Sequence, residues 1–305
     1  MNTSVTIADV KIPLRGRLVQ GAISIQDGRI TRIGKARLLP RTDAVIDGKG
    51  LIAIPGLIDV HVHLRDMDLA YKEDFSTGTL AAAAGGFTTV LDMPNTKPAT
   101  DSEERLLEKM HEAGSKINVN VGFYGMLVES SSQLIRMAQA GATAFKLYMN
   151  DIGPESWHRD DRSLLHSLEE CGSLRVPVAC HAESGAEVGM IQTQFQAAGK
   201  NSVRDFLKAH ATEFEAEAVR RITEFAHRAH SKVHVCHLSS RQGLREIQKA
   251  RRKSVAVTCE ATPHHLLLDR ADLNRKKGFA LMLPPLRSTE DARALWRSML
   301  RGGID

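Results

Sequence analysis

The chain has 305 residues, 42% apolar and 25% charged, enough to bury one large core or a large and a small one. Its formal charge of +5 is mild, and Lys and Arg are scattered rather than striped, which argues against a nucleic-acid surface. No apolar run reaches the roughly 18 residues of a membrane span. The four cysteines form no CxxC pair and no secretory signal is recognisable, so free thiols in the reducing cytoplasm are expected.

Residues 1–54 read as all-β. "SVTIADVKI", "GAISIQDGRITRIG" and "DAVIDGKGLIAI" are short Val/Ile-rich runs broken by Gly and Asp, and "QDGR" is a hairpin turn signal. From residue 55 to 305 strand and helix alternate. The predicted strands are Leu57–His63, Phe87–Met93, Val119–Met126, Thr143–Met149, Val176–His181, Lys232–Leu238 and Ser254–Glu260. Helical stretches such as "DSEERLLEKMHEAG", "SSSQLIRMAQAG" and "RQGLREIQKARR" lie between them, and the basic run "KARRKS" closes the last of these. Repeated β-then-α units with near-continuous apolar strands mean a parallel sheet covered by helices. Seven such strands point to a (β/α)8 TIM-type barrel, whose sites lie at the C-terminal strand ends. A doubly wound sheet would favour a Gly-rich phosphate turn after the first strand. "AAAAGGF" precedes a strand instead.

Chemistry collects at those strand ends. The first gives His61, His63 and Arg65, which period-2 alternation points to one side. Further on come Asp92 and Asn95, Lys146, His181, His237, and Glu260 followed by His264 and His265. A lone strand-end histidine is more often a hydrogen-bonded rim residue than a ligand. An HxH pair with agreeing histidines at two other strand ends shifts the balance to a divalent metal such as zinc. Lys146, inside an apolar strand, either snorkels to the rim or has reacted with carbon dioxide to become an anionic bridging carbamate. Adjacent strand residues face opposite ways, so at most one of His264 and His265 points inward, and Cys236 beside His237 reads as a buried thiol. A metal-side role for Cys236 or Glu260 is the minor alternative. His111, His158, His166, His210, His227 and His230 fall on helices or loops and are expected at the surface.

"PGLIDVHVHLRD", "EDFSTGTLAAAAGGFTTVLDMPNT", "FKLYMN", "HAE", "VHVCHLSS" and "VTCEATPHHLLL" together resemble the dihydroorotases of the amidohydrolase superfamily. The resemblance runs from about residue 50 to the end, and the segment before it resembles part of the small β-sandwich of those enzymes. It implies two zinc ions per chain: one on His61 and His63, the other on His181 and His237, bridged by carboxylated Lys146. Arg65 and Asn95 would hold the substrate carboxylate. The implied reaction is the zinc-dependent, reversible closure of N-carbamoyl-L-aspartate to L-dihydroorotate in pyrimidine synthesis. A small-molecule substrate and a homo-oligomer are expected, with neither nucleic acid nor membrane as partner.

Two departures qualify the resemblance. Leu283 stands where the family commonly has Asn before the paired prolines. The family's eighth strand, with an aspartate that ligates metal and acts as general base, would follow just beyond Asp305, so the chain is expected to be a fragment with an incomplete barrel and low activity. Another cyclic amidase, of the allantoinase or hydantoinase kind, and a non-catalytic scaffold subunit are the alternatives.

Overall fold

Two tight turns build the N-terminal sheet of the computed structural model, which describes residues 4–150 and 160–305. Strands β1 (Ser4–Leu14), β2 (Arg17–Gln26), β3 (Arg29–Gly34) and β4 (Ala44–Asp47) lie in the order β3-β2-β1-β4. The hairpins turn at Arg15-Gly16 (φ 49° and 76°) and Asp27-Gly28 (φ 50° and 72°). Left-handed backbone at both positions gives the loop the same twist as its flanking strands. Val10, Ile12 and Ile23 form a small core, and a bulge between Ile7 and Val10, with Asp9 at φ 52°, shifts the alternation of β1. The unit is one sheet rather than two packed sheets, and Ile30, Val45 and Ile46 are exposed on it.

The chain divides into compact units at Met1–Leu57 and Ile58–Asp305. The second is organised by β5 (Leu57–Val62), β6 (Phe87–Asp92), β7 (Asn120–Met126), β8 (Ala144–Tyr148), β9 (Val178–His181), β10 (Val233–Val235) and β11 (Val257–Cys259). They form a seven-stranded sheet in unbroken sequence order from β5 to β11, with neighbouring strands parallel from β6 to β11. A doubly wound sheet reverses its order at a switch point; this one never does, and curls as a (β/α)8-type barrel sheet. Each predicted strand is present, shortened by one to three residues at one or both ends.

Helices α1 (Phe75–Ala84), α2 (Glu103–Gly114), α3 (Ser131–Gln139), α4 (Asp161–Leu174), α5 (Gly185–Ala197), α6 (Val203–Ala209), α7 (Thr212–Arg228) and α8 (Arg241–Arg252) lie between the strands. α9 (Pro263–Leu267), α10 (Arg270–Lys276) and α11 (Thr289–Met299) follow β11. Their starts carry the expected caps: Asp74, Ser102, Asp160 and Ser240 each accept a backbone N–H of the first turn. Among the described residues no helix is long and apolar enough to cross a membrane.

Alternation decides which side chains meet the helices. Phe145 and Leu147 of β8, Val178 and Cys180 of β9, and Val233 and Val235 of β10 join the large core with Leu134, Met137, Leu168 and Ile222. Ala144 and Ala179 point the other way, into a small cluster with Met93, Tyr124 and Cys236. Lys146 and His181 share that inward parity, so the periodicity that buries Phe145 also delivers Lys146 to the interior.

Candidate metal centre

The C-terminal rim of the sheet holds the site. His61 on β5 and His63 just past it have ring centroids 5.3 Å apart, His61 and His237 are also 5.3 Å apart, and His181 and His237 are 4.5 Å apart. His181 Nδ1 and His237 Nε2 face each other at 2.9 Å. Lys146 is fully buried, and its Nζ donates to Cys236 Sγ at 2.9 Å. His63 Nδ1 donates to Asn95 Oδ1 at 2.8 Å, and Arg65 Nη1 lies 3.4 Å from the Asn95 carbonyl oxygen. The structure thus brings His61, His63, Lys146, His181 and His237 together, with Arg65 and Asn95 beside His63.

Glu260 ties the cluster from the far edge of the sheet. Its Oε1 accepts from His61 Nδ1 at 2.5 Å and from the His237 backbone N–H at 2.9 Å, and its Oε2 is 3.1 Å from His234 Nε2. A cavity of about 870 Å³ opens onto His61, His63, His234, His237, Glu260, His264 and Leu283.

Charges here are strongly coupled. Burial depresses the His61 imidazole, but hydrogen bonds to Cys236 and Glu260 outweigh it and lift its pKa to about 9. Burial, with the charges of His61 and Arg65, holds His63 down at about 3. Burial likewise lowers His181 and His237. Desolvation opposes the Glu260 charge, yet its bonds to His234 and His61 take it well below the usual carboxylate range. Burial also pushes the Cys236 thiol up, and Lys146 and His61 more than offset it, leaving it lowered.

The loop after β5 is anchored beneath the site. Asp92 at the end of β6 accepts from the Leu64 N–H at 2.7 Å, fixing the backbone between His63 and Arg65. Its other oxygen lies 2.6 Å from Lys109 Nζ of α2, and Lys109 also donates to the Met93 carbonyl at 2.9 Å. Arg65, Asp66 and Met67 all have positive φ (61°, 53° and 51°), an unfavourable run for non-glycine residues. Asp66 holds that run by accepting from Met67 and Phe75.

Several expectations are corrected. Cys236 does not face away from His237, because β10 ends at Val235 and the chain turns, with His237 at φ 35°. Strand alternation therefore no longer applies, and both side chains enter the site. His264 and His265 lie on α9, which starts with Pro263 behind the Thr262 cap, not on a strand. His265 is buried against the Pro284 carbonyl at 3.0 Å, and both histidines line the cavity. His210 is buried at 3% exposure rather than at the surface, because the Glu183 carboxylate, 2.8 Å from its Nδ1, needs a partner. His111, His166, His227 and His230 are exposed, and His158 lies outside the described residues.

The residues fit a divalent metal. Two ring nitrogens aimed at each other, a buried His237 Nδ1 without a hydrogen-bond partner among the described residues, and a close set of His61, Cys236 and Glu260 donors supply lone pairs that a cation would engage.

Residues 50–243 match the family model described as dihydro-orotase-like. The chain is 32% identical over 308 residues to the allantoinase of Bacillus velezensis, all of this chain against 68% of that one. It is 31% identical over 290 residues to an Escherichia coli allantoinase, 93% of this chain against 64% of the relative. An L-hydantoinase (dihydropyrimidinase) from Arthrobacter aurescens superposes at TM-score 0.93 and 28% identity, covering 99% of this chain and 68% of that structure. The fold and site thus define the class: amidohydrolase-type cyclic amidases, which are metal-dependent hydrolases. Within it, the chain belongs to the dihydro-orotase-like family. It spans about two thirds of the length of these relatives. Their names are allantoinase and hydantoinase, so the narrower expectation of a dihydroorotase gives way to the wider one.

Proposed function

We propose that the chain carries the metal centre of a hydrolase that opens a neutral cyclic amide, an allantoin- or hydantoin-type ring. The observation behind this reading is the convergence of His61, His63, His181 and His237 with the buried amine of Lys146 at one rim of a parallel sheet. His61 and His63 would hold one zinc ion and His181 and His237 a second, with Lys146 bridging them as a carbamate. When bound, such ions polarise an amide carbonyl and lower the pKa of water.

The chain's own groups prepare the rest. Glu260 and Asn95 accept from the Nδ1 atoms of His61 and His63, which leaves each Nε2 as the ligating nitrogen. Lys146, fully buried beside these histidines, would supply the amine that adds carbon dioxide. Arg65 stands at the rim as a fixed cation for a substrate oxygen.

A dihydroorotase is the second reading, favoured by Arg65 beside Asn95 as a clamp for a ring carboxylate. A panel of hydantoin, allantoin and dihydroorotate, with zinc and bicarbonate, separates the two. Opening of a neutral ring that survives Arg65→Ala within about tenfold supports the first. If only dihydroorotate is opened, and Arg65→Ala costs roughly 10- to 150-fold as a lost charged hydrogen bond would, the second reading holds.

A further inference from the structure

We propose that the chain with Lys146 unmodified holds a single thiophilic divalent cation, such as Zn2+ or Co2+, on His61, Cys236 and Glu260. This goes beyond the hydrolase reading and takes nothing from its substrate assignment.

The donors come from three separate strands: His61 from β5, Cys236 from the turn after β10, and Glu260 from just past β11. A ring nitrogen, the sulfur and a carboxylate oxygen all lie within 4.8 Å of one another. Small side-chain shifts bring donors at that spacing to the roughly 2.0–2.3 Å bonds of zinc. A mixed nitrogen, sulfur and oxygen set selects borderline and soft metals over magnesium or calcium. His61 and Glu260 line the cavity, which gives an ion a way in. The neighbouring His237 Nδ1 is likewise buried and without a partner among the described residues.

Lys146 makes this site conditional. Its unmodified Nζ sits 2.9 Å from the same sulfur. A carboxylate added to that nitrogen would stand beside the sulfur and compete with it for the same cation. The sulfur-containing site and the carbamate-bridged centre are therefore alternatives that share His61, chosen by whether Lys146 carries carbon dioxide.

Cobalt titration of the metal-free chain, with bicarbonate excluded, is the test. The expected result is a sulfur-to-cobalt charge-transfer band in the near ultraviolet that saturates at about one cobalt per chain. Cys236→Ser should lose the band and bind cobalt at least about tenfold more weakly, a loss that even outer-shell changes produce. Glu260→Gln should keep the band and weaken binding, with circular dichroism confirming that both variants fold. Adding bicarbonate to the wild-type chain should reduce the band. Cobalt bound without a charge-transfer band would overturn the site yet leave the hydrolase reading standing, since that reading is judged by the substrate panel. A band unchanged in Cys236→Ser would overturn it too, by assigning the sulfur to another cysteine.

Discussion

Lys109 shows what a buried charge costs and what it positions. It is 1% exposed, and its ammonium pairs with Asp92 and the Met93 carbonyl and lies 5.7 Å from the centroid of the Phe123 ring. Burial lowers its pKa and raises that of Asp92, each against the pull of the other's charge. Removing one partner strands the other. Lys109→Met should therefore cost about 3–5 kcal/mol in urea unfolding, whereas the double change with Asp92→Leu should recover much of that loss. Because Asp92 also holds the Leu64 N–H, the single variant should bind metal more weakly than its remaining folded fraction explains. Nothing local reveals this pair: Lys109 reads as one more charge on an amphipathic helix, and its partner is 17 residues away across a loop. His210 departs from its expected surface position for the same reason, since its partner Glu183 lies on another segment. By contrast, the HxH pair and Lys146 were legible because local alternation alone fixes where they point.

Strand β8 joins packing and chemistry in five residues. Phe145 is fully buried among Leu134, Met137 and Leu168, so Phe145→Ala should destabilise by about 3–5 kcal/mol, measured as a shift in the denaturant midpoint. Lys146 on the opposite face should behave in reverse. It gains little for stability from burial, so Lys146→Met should leave the midpoint unchanged or higher while abolishing the bicarbonate-dependent metal. A purely structural lysine would lose stability and leave metal content untouched. The strands themselves were readable because apolar runs of four to seven residues end at Gly, Pro or polar clusters. The turn after Val235 was not, because its left-handed His237 leaves no mark in composition. The start of α9 did leave one: Thr262 followed by Pro263 is a helix cap with proline at the first position.

At the scale of the whole barrel unit, sheet order and the site depend on each other. His61 on the first strand and Glu260 just past the last are 199 residues apart in sequence, yet they share a 2.5 Å contact, which requires the sheet to curl. Strand count and order were legible from periodicity; the partner across the curl was not, because no pattern in a single strand names it. Metal content measures the convergence most directly. After dialysis against zinc and bicarbonate, the account predicts about two zinc ions per chain, falling to about one or none in Lys146→Met and in His181→Ala. A chain that folds but takes up no zinc, or whose zinc content is indifferent to bicarbonate and to both substitutions, would contradict it.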